Sequence, residues 1–389
     1  MSKLKLQYIL LILLISSLLS NCDSNVESKS HTELIRIKIG SNERDQKKDI
    51  LNILQDLSFI PLETNSESLI RRIAKVENVE DRLYIHDQMN DAILVFDIDG
   101  TFLHKIGSIG AGPGEFIDLQ DFCIDRSSNE VLILSTGKRQ VLRYSLDGIH
   151  LETSNLPFQS WSINQMGTNY YAHNVGYFDD QNTNLKIMGS NHENIVNSLF
   201  EFPSSLHAIG LLALTGNITS NNEGLLYSDQ TSSYIHQVTL NGKHYPKYFI
   251  DFGDSFWPEE ERYEFEAFFR KAQNRELNFL SNSYEEIEDK LVFGYTIKST
   301  INGKPTPLLN AFYNRSTKQL FDHTNIINNM SYVLLSPPVG VMENSYFISI
   351  LYSESYDYFL DKYENDPLWE ELFSSNPIGS NPIVCLFKF

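Results

Sequence analysis

The candidate ligand-binding residues of this chain are polar and aromatic side chains that directly follow short apolar segments with the character of β-strands. They include two histidines, two basic residues and two tyrosines, and such a set can stack on a sugar or a peptide and hydrogen-bond to it. The members are His86, Asp87, Gln88, Lys138, Arg139, Tyr171, His173, Asp229, Gln230 and Tyr295. Residues that follow equivalent strands of a repeat lie at one end of a molecule. We therefore expect them to surround the mouth of a channel.

Two of these residues, Asp87 and Asp229, also allow an enzymatic alternative, in which acids at the channel mouth act in hydrolysis or elimination, with or without a calcium ion. Both acids occupy the same place in two copies of an internal repeat, where Ser135 stands in a third copy. Such repetition favours a structural role, in which the side chain caps a turn. The chain has no His-x-x-x-His, Cys-x-x-Cys or Gly-x-Ser-x-Gly motif, so zinc and serine-hydrolase chemistry have no support. We predict no cofactor and no resident metal ion.

An internal repeat carries the candidate residues. The segment 82–103 aligns without gaps on 130–151, and the pair Asp99-Gly100 then falls on Asp147-Gly148. A third copy continues the series with Asn241-Gly242. Asx-Gly pairs are typical of two-residue hairpin turns, in which both central residues take positive φ. Repeats of roughly 40 to 50 residues with about four short strands each predict a β-propeller, whose blades surround a channel.

Six such blades fill the chain, and we predict an all-β fold, a six-bladed β-propeller with two helical insertions on its rim. A spare strand at 57–62 precedes the first blade, and its pairing with the last strand, 383–389, would remove two exposed sheet edges. The helical insertions are expected at 258–271 and at 355–373, with Pro367 breaking the second.

Three stretches carry a resemblance to a known family. They read FIPLET at 59–64, GAGPGEF at 110–116 and NPIV at 381–384, where the last strand begins. They resemble the six-bladed β-propeller lipoproteins of Bacteroidetes, which are related to the NHL-repeat propellers. The resemblance implies the same number of blades and says little about function, because a fold does not determine function by itself.

The first 21 residues have the features of a secretory signal. Lys3 and Lys5 precede an apolar run at 8–19, which is shorter than the roughly 20 residues that span a bilayer as a helix. The sequence Leu-Ser-Asn-Cys at 19–22 resembles the lipobox that the bacterial lipoprotein signal peptidase cleaves. This resemblance implies that Cys22 becomes the first mature residue and carries a lipid anchor. An ordinary secreted protein is the alternative, and the expected location is the bacterial cell envelope, at the outer membrane.

The domain organisation follows from these boundaries: a signal peptide at 1–21, the lipidated Cys22 with a flexible tether at 22–50, and the propeller at 51–389. Cys123 and Cys385 lie in apolar segments of different blades. A disulfide needs Cα atoms within about 7 Å, so we predict two free, buried thiols.

Charge and pattern together favour a binding protein. With 31 basic and 50 acidic residues, the chain has a formal charge of -19 and repels nucleic acid. We predict a non-catalytic binding or scaffold propeller that is membrane-associated through its lipid anchor and recognises a glycan, a peptide or an envelope protein. A propeller hydrolase or lyase remains the alternative.

Overall fold

Six small antiparallel sheets form the blades of a β-propeller, as the sequence predicts. The computed structural model describes residues 33–40, 48–209, 217–229, 231–261, 263–274, 276–298, 300–301, 304–305, 308–327, 336–356 and 367–389. The chain divides into Met1–Glu33 and Leu34–Phe389, and the propeller is the second unit.

Three strands precede the first blade, and each pairs with a strand from the second half of the chain. They are β1 (Ile35–Lys38), β2 (Lys48–Asp49) and β3 (Asp56–Pro61).

Blades one to three have four strands each. Blade one contains β4 (Ile73–Val79), β5 (Arg82–Asp87), β6 (Ala92–Asp97) and β7 (Phe102–Ile106). The connection to blade two includes β8 (Ser108–Ile109) and β9 (Glu115–Phe116). Blade two contains β10 (Asp121–Asp125), β11 (Glu130–Ser135), β12 (Gln140–Ser145) and β13 (His150–Asn155). Blade three contains β14 (Ser162–Met166), β15 (Tyr170–Asn174), β16 (Thr183–Gly189) and β17 (Ile195–Glu201).

Blades four to six carry the insertions. Blade four contains β18 (Asn217–Asn221), β19 (Gly224–Ser228), β20 (Tyr234–Thr239) and β21 (His244–Asp251), and the helix α1 (Phe265–Gln273) follows it. Blade five contains β22 (Phe279–Ile287), β23 (Lys290–Thr296), β26 (Leu309–Asn314) and β27 (Gln319–Phe321). The short strands β24 (Thr300–Ile301), β25 (Lys304–Pro305) and β28 (Ile326–Ile327) accompany it. Blade six contains β29 (Gly340–Met342), β30 (Tyr346–Leu351) and, after the helix α2 (Pro367–Ser375), β31 (Ile383–Lys388).

The ring closes as predicted. Strand β3 pairs antiparallel with β31, with Phe59 opposite Cys385, and so supplies the outer strand of blade six. Asn381 fixes this junction, because its side-chain amide donates to the carbonyls of Glu63 and Ser68 at 2.7 and 2.8 Å. Its Oδ1 accepts from the Ile70 amide at 2.8 Å. The first and last parts of the propeller are therefore joined by a sheet and by a buried amide.

Two strands within the predicted tether pair with strands of the second half of the chain. Strand β1 pairs in parallel with β21 and adds a fifth strand to blade four, while β2 pairs with β28 beside blade five. Ile37 is buried in this arrangement. Alternate residues of β1 are apolar, and pairing on an open sheet edge covers them. The domain boundary at residue 50 stays a prediction, and β1 and β2 lie on its N-terminal side.

The predicted insertions form helices with different bounds. Helix α1 begins at Phe265, after a single helical turn at Glu259–Glu261, and its Phe265 and Phe268 are buried. Pro367 begins α2, because the first turn of a helix needs no amide hydrogen from its first residue. The part of the second prediction that covers 357–366 lies outside the described residues.

The Asx-Gly turns differ from the expected type. Only their glycines take positive φ, 86° at Gly100 and 85° at Gly148. The strand register shifts by one residue next to these turns, which identifies a turn followed by a β-bulge.

Cys123 and Cys385 are free and buried, as predicted.

Candidate functional site

A central channel of about 910 Å³ runs between the first strands of the six blades, which are β4, β10, β14, β18, β22 and β29. Alternate side chains of a strand point to opposite sides, so each of these strands can present residues to the channel. Amide and hydroxyl side chains are frequent in the lining, among them Asn164, Gln165, Asn217, Thr219, Ser283 and Ser336.

We call the end of the channel where these strands begin the N-terminal mouth. Arg72 directly precedes β4, Gln120 directly precedes β10, and Trp161 directly precedes β14. Gln88 follows β5, and its amide donates to the Arg72 carbonyl at 2.9 Å. The N-terminal mouth is defined by six residues that line the channel there: Arg72, His86, Gln88, Gln120, Trp161 and Tyr352.

The mouth contains polar atoms without protein partners. His86 is 1% exposed, and its Nε2 has no hydrogen-bond partner. Burial lowers the pKa of His86, which favours the neutral imidazole. The indole Nε1 of the half-buried Trp161 also lacks a partner. Both nitrogens are themselves buried, so at the mouth these residues present ring surface and not a free polar atom.

Deeper in the channel, charged groups of neighbouring blades pair with each other. The Lys75 Nζ lies 2.6 Å from the Phe122 carbonyl and 3.4 Å from Asp121 Oδ1. Burial alone would lower the pKa of Lys75, but the carboxylates of Asp121 and Glu77 outweigh it and raise this pKa. Asp121 also accepts from the Ile163 amide at 2.9 Å. These contacts connect blades one, two and three.

Two glutamates face the channel in different surroundings. Glu77 lies 3.3 Å from Arg126 and 3.8 Å from Lys75, and burial raises its pKa. Glu285 accepts from the Thr219 hydroxyl at 2.5 Å, and no described cation lies within ion-pair distance. Burial raises the pKa of Glu285 to about 7. Glu285 is therefore a channel carboxyl whose pKa lies near neutral pH.

Of the residues that the sequence predicts for the mouth, His86 and Gln88 line it. Asp87 lies between them but is fully buried and accepts from the amides of Arg71 and Arg72 at 2.9 and 3.0 Å. Asp87 also accepts from the Met89 amide at 3.2 Å and from the Asn90 side-chain amide at 2.6 Å. It thus caps the turn between β5 and β6, which is the role that its repetition suggests.

Lys138 and Arg139 lie on the same face of the ring but do not line the channel. The Lys138 Nζ lies 3.4 Å from the carbonyls of Gly110 and Glu115. Arg139 is exposed and has a φ of 54° in the turn after β11.

Four further residues were predicted at the mouth, but they are buried and do not line the channel. Tyr171 and His173 lie between blades, where the Tyr171 hydroxyl donates to Asp125 and the His173 Nδ1 lies 3.2 Å from the Ser160 hydroxyl. Asp229 accepts from the Tyr177 hydroxyl at 2.6 Å. The Tyr295 hydroxyl lies 2.8 Å from His323 Nδ1.

Their placement has one physical cause. The middle strands of a blade are covered on both sides by neighbouring blades, so polar residues on them pair inside the protein. Gln230 and Cys22 lie outside the described residues.

Sequence reasoning missed Arg72, Gln120 and Trp161. Each directly precedes the first strand of a blade, whereas the prediction considered residues that follow strands. Antiparallel pairing brings the start of one strand beside the end of the next, so both sets reach the same mouth. The position directly before the first strand of each repeat could have identified these mouth residues from the sequence.

No group of three or more His, Cys, Asp or Glu side chains suited to a metal ion occurs among the described residues. In the same part of the chain, no helix is long and apolar enough to cross a membrane.

The fold and the site define a six-bladed β-propeller with an open channel. Residues 34–388 match a family model described as a domain of unknown function, DUF4934, and the chain belongs to this family. No curated protein matches the chain.

Among solved structures, a protein of Bacteroides fragilis described as exported is similar, with 19% identity and a TM-score of 0.71. The match covers 92% of this chain and 99% of that protein. A member of the DUF4221 family from Bacteroides vulgatus has 10% identity and a TM-score of 0.47, with 86% and 97% of the two chains covered. The similarity to the Bacteroides fragilis protein supports the fold. Membership of an NHL-like lipoprotein family stays a prediction.

Proposed function

We propose that this protein is a cell-envelope lipoprotein whose propeller binds a polar ligand, such as a glycan, without transforming it. The ligand enters at the N-terminal mouth. The observation that carries this proposal is the combination of two neutral amides, a histidine ring and a tryptophan ring in the lining of the channel mouth. Side chains of this kind suit the recognition of hydroxyl-rich ligands.

The charges of the channel wall favour binding over catalysis. Lys75, Asp121 and Glu77 are engaged with one another or with backbone groups, which makes them structural. Asp87 and Asp229, on which the enzymatic alternative was based, hold a turn and a tyrosine hydroxyl instead of facing the channel.

An array of defined glycans and peptides tests the proposal with the full-length chain in detergent. We expect binding to at least one array member, and we expect Trp161→Ala and Gln88→Ala to weaken it. Ser145→Ala on the opposite side of blade two is the matched control. Binding that neither mouth variant affects would place the site elsewhere, and no binding at all would contradict the proposal.

One observation keeps the enzymatic alternative under test. A carboxyl with a pKa of about 7 suits general acid-base catalysis, and Glu285 is such a group in the channel. Array members that bind are therefore incubated with the protein, and new reducing or unsaturated ends are measured. Turnover that Glu285→Gln abolishes would establish an enzyme.

The anchor belongs to the same proposal. A lipid on Cys22 would hold the protein at the outer membrane of the cell envelope through acyl burial. Cys22→Ala should move the protein from the membrane fraction to the soluble fraction, or leave it uncleaved. Unchanged acyl labelling of this variant would contradict the lipobox assignment.

A further inference from the structure

Unpaired cations are concentrated on the N-terminal face of blades one and two. Arg71, Arg72 and Arg139 are exposed, and none of them forms an ion pair with any residue that the structure describes. The Lys138 ammonium meets only carbonyl oxygens. In a chain with a formal charge of -19, such a concentration of free positive charge calls for an anionic partner.

These cations lie on one continuous surface, because the loops that carry them contact one another. The Gln88 amide donates to the Arg72 carbonyl at 2.9 Å. The next loop of blade one contacts blade two where the Leu119 amide donates to Asp91 at 3.3 Å. The Gly137 amide donates to Asp118 at 3.0 Å, one residue before Lys138.

Acids on this surface do not neutralise it by ion pairing. Asp87 accepts from backbone amides, and Asp118 accepts from the Ser135 hydroxyl at 2.6 Å and from the Gly137 amide. Asp91, on the same surface, accepts from the Leu119 amide. None of these carboxylates forms an ion pair with Arg71 or Arg72, so both guanidinium groups can pair with an external anion.

The neighbours of Arg72 in the mouth indicate what kind of anion is bound. Gln88 and Gln120 offer amides for hydroxyl groups, and the Trp161 indole offers a flat surface for a pyranose ring. A guanidinium binds a carboxylate with two parallel hydrogen bonds. One guanidinium among neutral donors matches a sugar with one carboxylate better than a densely sulfated chain.

We infer that the ligand is an acidic polysaccharide, and this inference rests on the proposed function. A uronate carboxylate binds the Arg72 guanidinium, and its sugar ring lies beside Trp161. Further uronates along the same chain extend over blade two toward Lys138 and Arg139.

Polygalacturonate, alginate and hyaluronan serve as probes, each with its carboxyl-reduced, neutral form, and polyglutamate serves as an acidic peptide. Binding of the full-length chain in detergent is measured at low and at high salt. We expect at least one acidic polysaccharide to bind about tenfold more tightly than its neutral form, with salt weakening the binding.

Variants locate the contact. Arg72→Gln should weaken binding about tenfold and remove most of its salt dependence. Arg82→Gln is the matched control, because Arg82 pairs with Asp147 at 2.7 Å on the opposite face. The Arg72 side chain is exposed and forms no ion pair with a described residue, so its replacement should leave the thermal midpoint unchanged.

Each other outcome is decisive. Equal binding of acidic and neutral forms, unaffected by Arg72→Gln, overturns this inference and leaves the binding function intact. Binding of polyglutamate alone assigns the site to acidic peptides and also overturns it. Failure of every polysaccharide, charged or neutral, contradicts both the inference and a glycan-binding role.

Discussion

The two faces of the ring use arginine in opposite ways. Where the first strands of the blades end, Arg82 pairs with Asp147, Arg126 with Glu77, and Arg315 lies 3.8 Å from Glu286. Where these strands begin, Arg71 and Arg72 have no acidic partner among the described residues. Arg82 with Asp147 and Arg126 with Glu77 each join blades one and two, whereas Arg315 and Glu286 both belong to blade five.

The difference separates structural charge from available charge. An arginine that bridges two blades cannot bind a ligand without breaking a contact of the fold, whereas an unpaired arginine loses only its hydration. The face with unpaired arginines is also the face on which His86 and Trp161 have unpartnered nitrogens. The channel mouth and the unpaired arginines therefore lie on the same face of the ring.

The largest loss of stability is expected when a buried arginine that joins two blades is replaced. Arg143 is 9% exposed, donates to Glu130 at 2.7 Å and to the Ser190 carbonyl, and so joins blades two and three. Arg143→Leu leaves buried acids without their cation and should lower the free energy of unfolding by about 3 kcal/mol. Chemical denaturation measures it. An effect below about 0.5 kcal/mol would show that the bridges do not hold the blades together.

A smaller effect on stability is expected from the ionisation of Glu285 in the channel. Because the pKa of Glu285 is raised from 4.5 to about 7, its ionisation costs stability in the folded state. Stability is therefore greatest when the carboxyl is protonated and falls as the pH rises from 4.5 to about 7.

Glu285→Gln should remove this fall, so the variant gains about 1 to 2 kcal/mol over wild type between pH 5 and pH 7.5, less than the full shift because water reaches the channel. Denaturation at several pH values measures the difference, with the exposed Glu152→Gln as control. Parallel curves for wild type and Glu285→Gln would contradict the assignment.

The smallest effect is expected on the binding face. Arg71→Gln, Arg72→Gln and Arg139→Gln should each change the free energy of unfolding by less than about 0.5 kcal/mol. The same denaturation assay measures them beside Arg143→Leu. A loss comparable with that of Arg143→Leu would mean that these arginines are structural after all, and the contrast between the faces would disappear.

Most of the fold could be predicted from the sequence, because its main signals are local. Apolar strands and Asx-Gly turns identify the regular blades, and the strand left over at 57–62 can complete the last blade. The position of β1 could not be predicted in this way. Its four residues form a strand only because blade four offers them an edge, and that edge is more than half the chain away in sequence.

The site was less predictable than the fold. His86 and Gln88 follow from the repeat, but Trp161 carries no mark in sequence that distinguishes it from a core tryptophan. Tyr171 and His173 have the residue types of a binding site and are buried between blades. Whether a polar residue on a strand meets a ligand or a neighbouring blade depends on the angle at which blades stack, which a single sequence does not reveal.

The three strands that precede blade one impose an order on folding. The ribosome makes β1, β2 and β3 first, yet their partners β21, β28 and β31 belong to blades four, five and six. Strand β3 can therefore pair only after its partner β31 has been synthesised. Such distant pairings slow folding and favour an all-or-none ring. A nascent chain, or one truncated before β31, would expose the apolar edge of blade six, which makes β31 a condition for escaping aggregation.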